Sequence, residues 1–284
     1  MGFKYSVFTV MTPDLSLEEV AAALKSMGYD GVEWRVTVLP KKIEKIDFWR
    51  GNKATVDASR LIEEAPRVRR LSHENGLAIL ALGTYLSAEN RAEIEDAMKA
   101  ARIMGCSQIR VQVPRYDGSK HYNDLLQETV KRFSDVEKLA KKYEVKANIE
   151  IHHRTICPSA SSAYRIVSNF DPDHIGVIYD PGNMICEGYE SWQMGLQILG
   201  PYLAHVHVKN AKWESSTEKS KSGRWLPVWC GLSEGLVDWS EVLSALQKVG
   251  YDGWLSFEDF SEGDSLTKLK KNLEYMKDLE RRLR

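Results

Sequence analysis

Short runs of apolar, β-rich residues recur along the chain, and a helical pattern separates each run from the next. The runs are Phe3 to Thr9, Gly31 to Val36, Leu77 to Leu82, Ser107 to Val113, Val145 to His152, Ile175 to Asp180, Leu203 to Val208 and Trp254 to Phe257. Their length and their β-branched and aromatic content predict eight strands, none of which needs a hairpin turn. Several intervening segments carry helix start signals. Ser16 and Glu19 form a capping-box pattern ahead of Val20, Leu24 and Met27, and Asp238 and Glu241 stand similarly ahead of Val242, Leu246 and Val249. The last segment places Leu266, Leu269, Leu273, Met276 and Leu283 on one stripe with Lys and Glu opposite, the profile of a helix lying on a sheet.

An internal echo supports a repeating βα unit. Gly28-Tyr29-Asp30-Gly31-Val32-Glu33 matches Gly250-Tyr251-Asp252-Gly253-Trp254-Leu255, each closing a helix with Gly and opening a strand. Eight units in 284 residues leave about 35 residues each, the size of a βα repeat with a right-handed crossover. The expected fold is therefore a single-domain (β/α)8 TIM barrel spanning residues 1–284. An open doubly wound sheet is disfavoured because Thr9-Val10-Met11-Thr12-Pro13, not a glycine-rich phosphate turn, follows the first strand. Two long segments, 37–57 and 210–238, follow strands two and seven and are candidate lids at the catalytic face.

Composition narrows the function. With 43% hydrophobic and 28% charged residues, the chain has the balance of a soluble globular protein. A net charge of -1 with no long Lys or Arg run argues against nucleic acid as a partner. Cys106, Cys157, Cys186 and Cys230 are widely spaced, as expected for reduced thiols in a cytoplasm, and no disulfide is predicted. No apolar run is long enough for a membrane span, and the N-terminus lacks a signal-peptide pattern. Gly2 and Ser6 fit the loose myristoylation pattern, but Gly2 runs straight into a predicted strand.

In a barrel the C-terminal ends of the strands converge on one mouth, so their polar residues are read together. Strand five ends in Asn148-Ile149-Glu150-Ile151-His152-His153 and strand six in Tyr179-Asp180-Pro181-Gly182-Asn183; strand seven carries His205-Val206-His207-Val208-Lys209 and strand eight Ser256-Phe257-Glu258-Asp259. Taken singly, these residues have ordinary readings: a surface or ion-paired Glu, a satisfied core His. Together they place three carboxylates and an imidazole at one mouth, where repulsion and desolvation would be costly without a cation. An oxygen-rich set of this kind favours one divalent ion, with Mn the first choice ahead of Mg, Co or Fe, and with Zn also compatible.

These motifs, in this order over nearly the whole chain, resemble the xylose isomerase-like barrel superfamily of sugar isomerases and epimerases. That superfamily also includes inosose dehydratases and endonuclease IV-type repair enzymes. The carriers are Gly-Tyr-Asp-Gly-Val-Glu at 28–33, Asn-Ile-Glu-Ile-His at 148–152, Tyr-Asp-Pro-Gly-Asn at 179–183, His-Val-His-Val-Lys-Asn at 205–210 and Ser-Phe-Glu-Asp at 256–259. The resemblance implies Glu150, Asp180, His207 and Glu258 as metal ligands, with Glu150 and Glu258 also acting as acid and base. It prefers His207 to His205, the fallback, through the His-x-Lys part of the motif. The chain departs from the pattern at Asn210, where an Asp often follows the Lys, and at Asn183, where some epimerases carry a substrate-contacting His.

The expected reaction is isomerisation or epimerisation of a ketose or keto-sugar, with Glu-mediated proton transfer through a metal-bound enediolate. The alternative is a metal-dependent lyase, a keto-inositol dehydratase or a 3-keto-glycoside-cleaving enzyme, in which one of the histidines beside Glu150, His152 or His153, orients substrate or protonates the leaving oxygen, with His152 the catalytic candidate. Expected substrate contacts are Trp34, His153, Asn183, Lys209 and Trp225, with Trp229, Arg35, Arg115, Arg154 and Lys212 as further candidates. A repair-type phosphodiesterase would need more metal ligands and a basic surface, and a non-enzymatic sugar-binding barrel has little use for two carboxylates around a metal. The expected partner is a small sugar or keto-sugar, with a homo-oligomer or partner subunit left open.

Overall fold

The computed structural model describes residues 2–40, 42–216 and 225–283. Each of the eight apolar runs overlaps a strand: β1 (Lys4–Phe8), β2 (Gly31–Thr37), β3 (Ala78–Thr84), β4 (Gln108–Arg110), β5 (Lys146–Glu150), β6 (Ile175–Tyr179), β7 (Leu203–Val208) and β8 (Trp254–Phe257). All pair in parallel with their sequence neighbours, and β8 returns to β1 from Lys4↔Trp254 to Val7↔Phe257, closing the barrel. The buried run Ile-Gly-Val-Ile-Tyr of β6 is the pattern of a strand covered on both faces.

Parallel neighbours need crossovers, and helices supply them. They are α1 (Leu17–Met27), α2 (Leu61–Glu74), α3 (Arg91–Met104), α4 (Tyr122–Tyr143), α5 (Ala160–Val167), α6 (Pro181–Cys186), α7 (Trp192–Leu199), α8 (Trp239–Lys248) and α9 (Ser265–Arg282). The Ser16/Glu19 capping box forms in both directions at α1, whereas Asp238 caps α8 by accepting from Ser240 and Glu241 without a reciprocal bond. The echoed glycines Gly28 and Gly250 both take positive φ, 80° and 75°, ending their helices where a side chain would be strained. Leu269, Leu273 and Met276 of α9 are buried, but Leu266 is exposed, so the stripe starts one turn later than its pattern predicts.

The segment 210–238 departs from the loop reading. Asn210–Ser215 and Trp225–Cys230 pair antiparallel as a hairpin standing on the mouth, and residues 217–224 between them lie outside the described residues. Asn210 anchors its base: Nδ2 donates to the Leu232 and Val237 carbonyls (2.7 and 3.0 Å), and Oδ1 accepts from Val237 N–H at 2.9 Å. An Asp could not make the two donations, which is the physical reason for Asn here. Among the described residues of 38–57, regular structure is confined to Thr55–Asp57, a short strand paired in parallel with β2.

Candidate metal centre

The register of the barrel brings four strand ends to one point. Glu150 closes β5, Asp180 follows β6, His207 lies on β7 and Glu258 follows β8; all are buried, and their ligating atoms lie within 4.8 Å of one another. His207 Nδ1 is 3.3 Å from Glu150 Oε1, 3.7 Å from Glu258 Oε2 and 3.8 Å from Asp180 Oδ2. These four atoms define the centre. His205 points into the same barrel interior one layer deeper, 3.5 Å from Glu33, and is not in the four-residue group.

Local structure aims each ligand. Asp180 is the N-cap of α6: Oδ1 accepts from Asn183 N–H at 2.9 Å, which leaves Oδ2 for the centre. Asn183 spans the ligands, with Nδ2 donating to Asp180 Oδ2 (2.8 Å), the Ile151 carbonyl (3.0 Å) and Glu150 Oε1 (3.3 Å). Gly182 lets Lys209 pass, since a Cβ there would sit 2.5 Å from Lys209 Cγ.

Charge is balanced from within the protein. Arg110, on β4 and fully buried, donates to Glu150 Oε2 at 2.7 Å and to the Thr84 carbonyl at 3.0 Å. The Lys209 ammonium contacts Glu258 and lies 2.8 Å from Asp180 Oδ2 and 3.9 Å from Glu150 Oε1. Burial alone would raise the Glu150 pKa, but Arg110 and His207 hold it well below the ordinary carboxylate range. For Glu258 burial prevails over Lys209 and His207, and its pKa is raised. Burial acts to lower the pKa of His207, but Glu33, Asp180 and Glu150 raise it well above the usual imidazole value.

The centre opens into a cavity of about 490 Å³ lined by Glu150, Glu258, Arg110, Lys209, His152 and His153, with Trp49, Tyr85, Trp229 and Phe260 as aromatic walls. His152 and His153 stack with ring centroids 4.4 Å apart. His152 Nδ1–H donates to the His153 carbonyl (2.7 Å), and His153 Nδ1–H donates to Asn183 Oδ1 (3.0 Å). Nε2 is thus the nitrogen free to exchange a proton on both rings. Burial, followed by the His152 charge, pushes the His153 pKa down to about 4.

Of the residues read from the sequence as substrate contacts, His153 and Lys209 line the cavity, and Trp229 lines it too. Three do not, and those readings are corrected. Trp34 is fully buried in the core behind the barrel, its indole N–H bonded to Ser72 Oγ at 3.1 Å. Trp225 is 55% exposed at the outer end of the hairpin. Asn183 is fully buried and holds the ligands rather than facing the cavity. Arg115 reaches the rim, whereas Arg35 braces the 37–57 segment through Thr55 Oγ1 and the Trp49 carbonyl. Arg154 and Lys212 lie outside the cavity lining.

The sequence reading passed over Glu33, Arg110, Tyr85, Trp49 and Phe260. Glu33 and Arg110 carried a signal, a charge in the middle of an apolar strand, which is costly to bury unless it has a task. The aromatic residues carried none, because loop conformation alone brings them together.

Fold and centre define the class: a (β/α)8 barrel with a buried, oxygen-rich site of the divalent-metal type at its mouth. The chain belongs to the xylose isomerase-like TIM barrel family, whose model matches residues 21–279. The inosose dehydratase of Geobacillus thermodenitrificans is 24% identical over 238 residues, covering 73% of this chain and 75% of that protein. The inosose dehydratase of Lacticaseibacillus casei is 24% identical over 155 residues, and the match spans only 50% of each protein. The crystal structure of 3-keto-D-glucoside 4-epimerase from E. coli superposes with a TM-score of 0.70 at 16% identity, covering 97% of this chain and 99% of that one. Among the described residues no helix is long and apolar enough to cross a membrane, and the four cysteines are unpaired.

Proposed function

We propose that the protein is a divalent-metal-dependent lyase that eliminates water from a keto-polyol of the inosose type. The observation that carries this reading is the pair His152 and His153, which line the same cavity as Glu150 and Glu258. Glu150, Asp180, His207 and Glu258 would hold the ion; three carboxylates and one imidazole suit Mn first, then Mg, Fe or Co, and accommodate Zn. A divalent ion there supplies a Lewis acid that withdraws charge from a carbonyl and its neighbouring hydroxyl.

The chain's own residues divide the remaining work. A carboxylate, Glu150 or Glu258, takes the proton from the carbon next to the carbonyl. The C–H electron pair forms the new double bond, the C–O bond on the following carbon breaks, and the hydroxyl leaves as water with a proton from His152 Nε2. His153, neutral at pH 7 by its lowered pKa, positions a substrate hydroxyl together with Lys209. Trp49, Trp229 and Phe260 pack against the C–H face of the ring and keep out water.

The similarity to two inosose dehydratases supports this reading over simple epimerisation. Epimerisation is the second reading, favoured by two carboxylates at one centre, of which one would remove the proton and the other return it. Incubating the metal-loaded protein with an inosose and a panel of ketoses in deuterated water separates the two. Loss of one water from the substrate is expected; deuterium incorporation with the mass otherwise retained establishes epimerisation instead.

A further inference from the structure

Glu33 lies at the centre of a second buried cluster, beneath the metal centre and out of reach of the cavity. It stands on β2 with no solvent exposure, in a strand otherwise built to be covered on both faces. Its Oε2 accepts from Ser256 Oγ at 2.8 Å and from His207 Nε2 at 3.1 Å, and His205 Nε2 is 3.5 Å away. Its Oε1 has no hydrogen-bond partner among the described residues. Register explains the meeting: Ser256 of β8 is aligned with both His207 of β7 and Ser6 of β1, and Glu33 lies two residues beyond Gly31, the β2 partner of Ser6. A shift in the β2–β3 ladder between Val32 and Glu33 accompanies its inward position.

From these contacts we infer that Glu33 is a positioning residue that fixes the tautomer and orientation of His207. This inference rests on the metal centre proposed above. A carboxylate can only accept, so when Nδ1 gives up its proton to bind a metal, the proton that remains on the His207 ring is held on Nε2 by Glu33 at 3.1 Å, and the Nδ1 lone pair faces Glu150, Asp180 and Glu258. Without Glu33 the ring would be free to place its proton on Nδ1, where Glu150 Oε1 at 3.3 Å is a ready acceptor, and the ligand atom would be masked. Phe8, stacked on the His207 ring at 5.6 Å, limits rotation but does not choose between tautomers.

Glu33 could instead be a purely structural charge that ties β2, β7 and β8 together, and the experiment separates the two roles. Nitrogen-15 NMR of the zinc-loaded wild-type protein, with histidines labelled, should show His207 carrying its proton on Nε2 and zinc on Nδ1. Zinc affinity measured by chelator competition should fall about 10- to 100-fold in Glu33→Leu. Glu33→Gln, whose amide oxygen still accepts from Nε2, should lose less and keep the Nε2–H signature. A structural role alone would lower the melting temperature of both variants and leave zinc affinity unchanged. Zinc on Nε2 of His207 in the wild type, or undiminished affinity in a folded Glu33→Leu, overturns the inference while leaving the metal centre standing; no zinc binding by the wild type overturns both. The wild-type spectrum needs no variant to fold.

Discussion

Lys209 Nζ and Asp180 Oδ2 lie 2.8 Å apart, which puts the ammonium against the same oxygen that faces His207 Nδ1 at 3.8 Å. The lysine therefore compensates the carboxylates that would receive a metal, and a metal must compete with it for them. Lys209→Met, of similar length but uncharged, leaves Asp180 and Glu258 without this partner. Removing one member of a buried ion pair costs about 3–5 kcal/mol. The expected outcome is a much lower melting temperature for the variant in chelator, with a larger recovery on adding manganese than the wild type shows. Thermal denaturation with and without metal checks this; equal recovery in both proteins refutes the competition.

The aromatic wall gives a contrast between three tryptophans. Trp49 packs on Phe260 with centroids 5.1 Å apart and lines the cavity, whereas Trp34 is buried behind the barrel and Trp225 stands away from the mouth. Trp49→Ala should raise KM about 3- to 10-fold with little change in melting temperature, the value of one aromatic contact. Trp34→Phe should do the reverse, lowering stability through the lost Ser72 hydrogen bond and leaving KM alone, and Trp225→Ala should change neither. Steady-state kinetics and calorimetry on the three variants decide the assignment.

The difference between these tryptophans shows where the sequence could be read and where it could not. Strand period and breaker position are local properties, so all eight barrel strands were legible, and barrel closure then placed Glu150, Asp180, His207 and Glu258 at one mouth. Trp34 was misread because alternation along β2 cannot by itself tell the barrel interior from the layer under the helices. Asn183 was misread because the resemblance sets it where some epimerases carry a substrate-contacting His, while the tight turn into α6 folds its amide back onto the ligands. The hairpin was missed because Asn210–Ser215 and Trp225–Cys230 flank a long connection with no two-residue turn signal.

Asp180 combines two tasks that one substitution can separate. Oδ1 caps α6 through Asn183 N–H, and Oδ2 faces the centre. Asp180→Asn keeps a capping oxygen, since Asn caps helices as well as Asp does, but removes the ligand charge. The variant should stay folded, with bound metal falling well below one ion per chain and activity falling with it. Elemental analysis after dialysis measures the metal directly; full metal content in a folded Asp180→Asn would remove Asp180 from the ligand set.

His153 supplies a pH dependence with a definite sign. Its pKa is pushed down from the ordinary 6.5 to about 4, chiefly by burial and then by the neighbouring His152 charge. In the unfolded chain the ring takes up a proton as the pH falls through 6.5, while in the folded protein it resists protonation until about 4. The unfolded state therefore binds more protons in that window, and His153 makes the protein progressively less stable as the pH falls from 6.5 to 4. Above 6.5 both states hold it neutral and it contributes no slope. His153→Gln, which keeps a group able to meet Asn183 Oδ1, should flatten this part of the stability profile and leave the region above pH 7 unchanged. Melting temperatures of the two proteins across pH 4 to 8 test it, and identical slopes below 6.5 would mean that the folded protein protonates His153 as readily as the unfolded one.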